Sequence, residues 1–374
     1  MTTTTNSWAL HIGLGSKAGY AAGYFYLFFS DGTNIKYVST SDSSFNPTTF
    51  GTAVTVKAGS DGSYFQVIFQ DPYVYMVSVT PDSKPIKFRR GLCSGGSISW
   101  DTEVTGPTGT QMRVTGIDIT DEGYVLVAYY ADNGAYVSKN ANKDGTWSTA
   151  SGYPKRLDDA DSVNHMVKVL DMGSGNWYGM YCGVTGGHIY GRYWNGSTLA
   201  TKEQCTDVIT SAVHRWDARA VGSTIFLAWN GQSGNFYLYR RVRSGGSWGT
   251  TATIWTGGGS DYDKVPAVSV NKDLGDVYVA WQNYPSSAHV YYQKYTGATS
   301  SWGSTVDAVT ESALPNPYQI VGISRAMNNS LVFAYLSGSS PYTLDILRFE
   351  SLTSSSGGTG PSGGMMMYGG IGII

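Results

Sequence analysis

Arg113, His165 and Arg215, with His214 beside it, are the residues whose types and spacing best suit binding chemistry. They stand 15, 15 and 13 residues ahead of the centres of three successive apolar segments, at Ala128, Met180 and Ala228. Guanidinium and imidazole groups gathered at one point hold a carboxylate or an anionic sugar through charge-assisted hydrogen bonds. The competing reading makes them solvated residues or partners of Asp161 and Asp217.

The acids offer less. Acid–base cleavage of a glycosidic bond needs two carboxyl groups roughly 5–10 Å apart, and none of Glu103, Glu122, Glu203 or Glu311 has a recognisable mate. Asp158, Asp159 and Asp161 cluster, but without the alternating oxygen spacing of a calcium loop. No catalytic residue, metal or cofactor is therefore expected. Tyr153, Trp216, Tyr262, Tyr284 and Tyr342 fall in predicted loops and suit stacking on sugar rings. Arg89–Arg90 and the Arg240, Arg241, Arg243 group fall on predicted strands, as a solvated sheet surface.

What must position these residues is a repeat. Short apolar strands recur around Phe28, Val77, Ala128, Met180, Ala228, Ala280 and Ala334, at gaps of 48 to 54 residues. A fixed period of that size means one supersecondary unit stacked on its neighbours. Each centre is preceded by a first strand: 8–14, 64–69, 113–119, 165–170, 215–221, 265–270 and 318–323. Each is followed by an alternating third strand such as NIKYVST or FYLYRRV. A Gly/Ser-rich hairpin then ends in a large aromatic (Phe50, Trp100, Trp147, Trp248, Trp302), expected to wedge one unit against the next. The fourth unit departs, with Trp194 and Leu199 instead. Four-stranded units repeated seven times, with no amphipathic helical stretch, predict an all-β, seven-bladed β-propeller over residues 1–352. The seventh unit lacks an outer strand, and Thr2–Asn6 is spare; it is expected to close the ring. The first strands would then line a channel, with Arg113, His165, His214 and Arg215 at one mouth.

Composition narrows the classes. Charged residues make up 14% of the chain, against about a quarter in typical proteins. A net charge of −2 provides no basic field for nucleic acid. No run reaches the roughly 18–20 apolar residues of a membrane span. Cys182 and Cys205 are read as buried thiols or as one bridge, with Cys93 left over. MTTTTNSWALHIG has neither the basic start nor the apolar core of a signal peptide. The composition is that of a surface protein without an export signal, which fits a virion surface or extracellular location.

The hairpins KDGTW (143–147) and SGGSW (244–248) resemble the Asp-box turns of sialidase-like (BNR-repeat) propellers, with the Asp–Gly pair shifted by one place in the first and the Asp lost from the second. That resemblance implies architecture over about residues 2–352, in a superfamily of hydrolases, lectins and scaffolds. A sialidase would also need an arginine triad and a Tyr/Glu pair, which the sequence does not display.

After a Gly/Ser-rich linker (353–364) comes a separate feature, the apolar arm 365–374. Met365, Met366, Met367, Tyr368, Ile371, Ile373 and Ile374 suit an extended arm anchored to other subunits of an assembly; folding back on its own propeller is the alternative. The expected protein is a non-catalytic structural or attachment component, most readily of a virus particle, with a possible glycan ligand. The alternatives are a lectin of a microbial surface or secretome and a divergent sialidase-like hydrolase.

Overall fold

The computed structural model describes residues 3–4, 10, 16–41, 50–59, 64–79, 85–159, 163–183, 187–208, 216–231, 237–256, 265–283, 289–311, 320–323, 330–338 and 342–350. The linker, the 365–374 arm, His214, Arg215, Asp161, Tyr262 and Tyr284 lie outside the described residues, and the side chains of His165 and Tyr342 are likewise not described.

Seven antiparallel sheets of four or five strands follow one another along the chain, the blades of a propeller. Each blade runs in sequence order from its first strand outward. The first strands are Ala18–Ala21, Phe65–Gln70, Arg113–Ile119, Val163–Gly173, Trp216–Val221, Pro266–Asn271 and Ile320–Gly322. Thr3–Thr4 lies outermost on blade seven, with Thr3 opposite Thr343 and Thr4 opposite Tyr342.

The apolar centres are legible because of where the second strands sit. Val125, Val127 and Tyr129 pack on blade two, while Leu126, Ala128 and Tyr130 pack on blade four. A strand covered on both faces must be apolar at every position, so it reads as a continuous run. The core is therefore a series of layers between consecutive blades. One layer joins residues of blades six, seven and one.

The hairpin aromatics reach back onto the preceding blade: Trp100 meets Phe28, Trp147 meets Phe88, Trp248 meets Tyr178 and Trp302 meets Phe226, with ring centroids 5.2–6.3 Å apart. The neighbouring arginines are not a solvated surface, as expected from sequence, but rivets. Arg89 stacks 4.4 Å above Trp100, Arg240 stacks 4.2 Å above Trp302, and Arg243 bonds Glu203 at 2.9 Å. A planar, weakly hydrated guanidinium loses little on covering an indole face.

First strands leave backbone groups unpaired toward the channel, and side chains of the preceding blade satisfy them. Val167 N–H donates to Thr115 Oγ1 (2.7 Å), Asp171 N–H to Asp118 Oδ2 (2.9 Å), Val268 N–H to Asp217 Oδ2 (2.8 Å) and Ile323 N–H to Ser269 Oγ (2.8 Å). Asp217 is thus a seam residue. Its other oxygen accepts from Lys168 Nζ at 2.5 Å and Arg219 Nη1 at 2.9 Å.

Other expectations need correction. The first strand of blade one is Ala18–Ala21, not 8–14; Leu10, the described residue of that segment, is buried in the core. The strand is short and small because a Cβ on Gly19 would lie 2.4 Å from the Phe69 ring of blade two. A tight Ala22–Gly23 turn, both at positive φ, carries it into Tyr24–Ser30. Trp216 is fully buried in the core rather than exposed in a loop. Cys93, Cys182 and Cys205 are all buried free thiols, so no Cys182–Cys205 bridge forms; burial pushes the Cys93 thiol up to about 12.

Candidate functional site

At the predicted channel mouth the described residues show only Arg113. It begins the first strand of blade three, its guanidinium 5.5 Å from the Tyr64 ring centroid of blade two. Between the described first strands lies a small cavity of about 10 Å³, room for roughly one water, lined by Ser16, Asp118, Lys168 and Arg219 among others.

The opposite face carries a larger site. A groove of about 510 Å³ lies between blades three and four, a volume in the range of small-molecule sites. One wall is the turn between the first and second strands of blade three. Thr120 N–H donates to Tyr124 O (2.9 Å), Gly123 N–H to Thr120 O (2.8 Å) and Tyr124 N–H to Thr120 Oγ1 (3.1 Å). Gly123 takes a φ of +91°, which a side-chain-bearing residue would resist. This turn fixes Glu122 and Tyr124.

Lys139 reaches the groove from the end of the adjacent third strand, opposite Leu126 in the ladder. Its ammonium stands 4.4 Å above the Tyr124 ring and 3.9 Å from Glu122 Oε2. A second ammonium, Lys143, stands 4.3 Å from the same ring. The Asp-box-like hairpin holds Lys143 in place. Asp144 Oδ1 accepts from Thr146 Oγ1 (2.6 Å) and N–H (3.0 Å), and Asn140 Nδ2 donates to Thr146 O (2.7 Å). The Thr146 hydroxyl, then its N–H, hold the Asp144 carboxyl below its usual range.

The far wall is aromatic. Trp194 stacks on Trp177 (5.9 Å, 16°) and meets Tyr153 edge-on at 6.1 Å. Trp177 Nε1–H donates to Tyr153 OH at 3.0 Å. Burial pushes the Tyr153 phenol up against that bond, so it stays a neutral hydroxyl. Lys155 places its ammonium 4.2 Å over Trp194. The floor is the Gly173–Ser174–Gly175 turn of blade four, all at positive φ. The irregular fourth unit thereby acquires a purpose: Trp194 replaces the usual hairpin wedge and faces a groove.

Lys139 lines the groove with Glu122, Tyr124, Tyr153 and Trp194, while Lys143 and Lys155 stand over two of those rings; an ammonium beside aromatic rings can hold a polyhydroxylated ring and a negative substituent together. Of the loop aromatics singled out in the sequence, Tyr153 is in this groove. Tyr124, Lys139, Lys143 and Lys155 were missed. Asp158 caps Ala135 N–H (2.7 Å) and pairs with Arg156, and Asp159 pairs with Arg192 and Lys202. Glu103, Glu203 and Glu311 engage Lys57, Arg243 and the Tyr335 hydroxyl respectively.

No family model and no curated protein matches the chain. Solved structures do. The BP39L lectin from Burkholderia pseudomallei superposes with a TM-score of 0.66 at 11% identity, over 90% of this chain and 96% of the lectin. An ulvan lyase, a polysaccharide lyase bound to GlcA(1-4)Rha3S, gives 0.57 at 11% identity, over 92% and 93%. A puromycin-hydrolysing peptidase of Mycobacterium tuberculosis gives 0.51 at 11% identity, over 93% of this chain but 53% of the peptidase. At such identities the likeness is one of fold, and the resemblance to sialidase-like propellers holds at the level of architecture. The expectation of a chain without catalytic activity does not stand. The same frame is that of a polysaccharide lyase, so a missing acid pair does not set this chain apart from enzymes. What the solved neighbours establish for this chain is the β-propeller itself.

Proposed function

We propose that this protein is a carbohydrate-binding propeller whose ligand, an anionic saccharide, lies in the groove between blades three and four. The observation that carries this reading is a 510 Å³ space lined by Lys139 together with Tyr124, Tyr153 and Trp194, with Lys143 and Lys155 standing over the rings of Tyr124 and Trp194. Pyranose rings stack their C–H faces on aromatics, while uronate or sulfate groups seek the ammoniums. The lectin and lyase neighbours support it as proteins named for binding or cleaving carbohydrate.

The test is a panel of uronate-, sulfate- and sialate-bearing oligosaccharides, followed by calorimetry on the best binder. Lys139→Glu and Lys155→Ala should each weaken binding about tenfold or more, since a charge-assisted hydrogen bond contributes about 1.5–3 kcal/mol. Binding unaffected by both variants, with melting temperature unchanged, contradicts the groove.

A role in a larger assembly, as a virion surface or attachment component, is the second part of the proposal. It rests on the arm: seven apolar or aromatic residues among the ten of 365–374, behind a Gly/Ser-rich linker. Deleting 365–374 should abolish incorporation into the assembly and leave saccharide binding intact. Loss of binding with incorporation retained would reverse the assignment.

A further inference from the structure

The blade-three groove has a counterpart two blades away. A space of about 460 Å³ between blades one and two is lined by Tyr24, Ser39, Ser41, Gly51 and Gly96 among others. Add 100 to each number and the lining of the first groove returns: Tyr124, Lys139, Ala141, Ser151 and Gly196. The ladders agree, since Ser39 faces Tyr26 as Lys139 faces Leu126. Gly96 and Gly196 both sit at positive φ in the outer hairpin of the following blade.

Blade two shows the same construction in a filled state. Arg90 occupies the ladder position of Ser39 and Lys139, opposite Tyr75. Its guanidinium lies 4.6 Å over Tyr73, the equivalent of Tyr24 and Tyr124, and Nη1 donates to Lys143 O of the next blade at 3.0 Å. Asp101 Oδ2 accepts from Arg90 Nε at 2.9 Å. A Cβ on Gly145 would already meet Asp101 at 2.3 Å. That position is plugged.

One ladder position thus has three states. Arg90 covers Tyr73, Lys139 covers Tyr124, and in blade one the position is a serine, so that among the described residues no cation stands over Tyr24. Ser39 Oγ instead donates to Gly96 O at 2.7 Å. Among the described residues no charged side chain lines the blade-one groove; its polar side chains there are the hydroxyls of Tyr24, Tyr37, serines and threonines. A charged ligand would find nothing there to repay its lost hydration. A neutral sugar finds an aromatic face and hydroxyl partners.

We infer that the groove between blades one and two is a second ligand site, selective for a neutral saccharide. It shares its architecture with the anionic site proposed above but neither its probe nor its critical residues, so the two readings fail separately. The probe is a panel of uncharged oligosaccharides, immobilised for screening and free for calorimetry. Ser39→Arg installs the plug that blade two already tolerates, and Tyr24→Ala removes the platform. Each should lower neutral-saccharide affinity at least about tenfold, while Lys139→Glu leaves it unchanged. Melting temperatures identify a variant that has lost its fold, and the other variant then decides. No neutral ligand at millimolar concentration, or neutral binding that survives both substitutions, overturns the inference.

Discussion

Ser39 and Lys139 occupy the same rung of the same ladder, 100 residues apart, and only the lysine sets a charge above the neighbouring tyrosine. The propeller repeats the backbone and varies this side chain. Exchanging it should exchange ligand preference: Lys139→Ser should cost the anionic ligand about tenfold or more and raise the affinity of the blade-three groove for neutral sugars. Calorimetry with one ligand of each class reads both effects.

Salt offers an independent check. Ammonium groups at a partly exposed groove are screened as the Debye length shrinks from about 10 Å at 0.1 M to about 3 Å at 1 M. Affinity for the anionic saccharide should fall steadily over that range, and affinity for a neutral one should hardly move. Equal slopes for the two would mean that the ammoniums do not contact the ligand.

Asp217 carries the seam between blades five and six and neutralises two buried cations. Asp217→Ala leaves Lys168, Arg219 and the Val268 N–H short of a partner at once. A cost of about 3–5 kcal/mol follows from breaking a buried pair by removing one member. Burial alone would raise the Asp217 carboxyl, but Arg219 and Lys168 outweigh it and hold it below its usual value. Chemical denaturation at pH 7 measures the loss; a change under 1 kcal/mol would mean the seam is redundant.

The repeat and the fold class were legible because second strands are buried on both faces, which leaves an uninterrupted apolar mark in each unit. Ala18–Ala21 was not legible: its small residues answer to the Phe69 ring of another blade, a constraint without a local signature. Trp216 looked like a loop aromatic because it follows His214 and Arg215, yet its ring lies in a core layer. The groove was missed for a related reason. Tyr24, Tyr73 and Tyr124 each stand four residues before a blade centre, and that regularity was visible. What decides their use is the residue across the ladder, and register is set by loop lengths: two extra residues between the second and third strands put Arg90, not Phe88, beside Tyr75.

Asp171 should make stability fall with rising pH. Burial, then the Asp118 carboxylate, push its carboxyl up to about 7, with Asp121 adding to the rise and Lys272, 3.8 Å away, opposing it. An unfolded aspartate titrates near about 3.9. The native state therefore holds this proton more tightly, and the stability it contributes is complete below about pH 4 and lost as pH rises through about 7. Asp171→Asn should raise the melting temperature at pH 8 and leave it nearly unchanged at pH 4. A lower melting temperature at pH 8 would show that the Lys272 pair dominates.

Removing residues 1–7 should take away the outer strand of blade seven and lower the melting temperature by several degrees, because Thr3 and Thr4 pair with Thr343 and Tyr342. A melt identical to that of the full chain would mean this pairing contributes nothing to closure.

The most direct measurement is a crystal structure with the best-binding anionic oligosaccharide. The saccharide is predicted between Tyr124 and Trp194, its negative group within hydrogen-bond reach of Lys139 or Lys155. Density at the opposite face, near Arg113, with the blade-three groove empty, would contradict the central claim and return the site to the channel mouth.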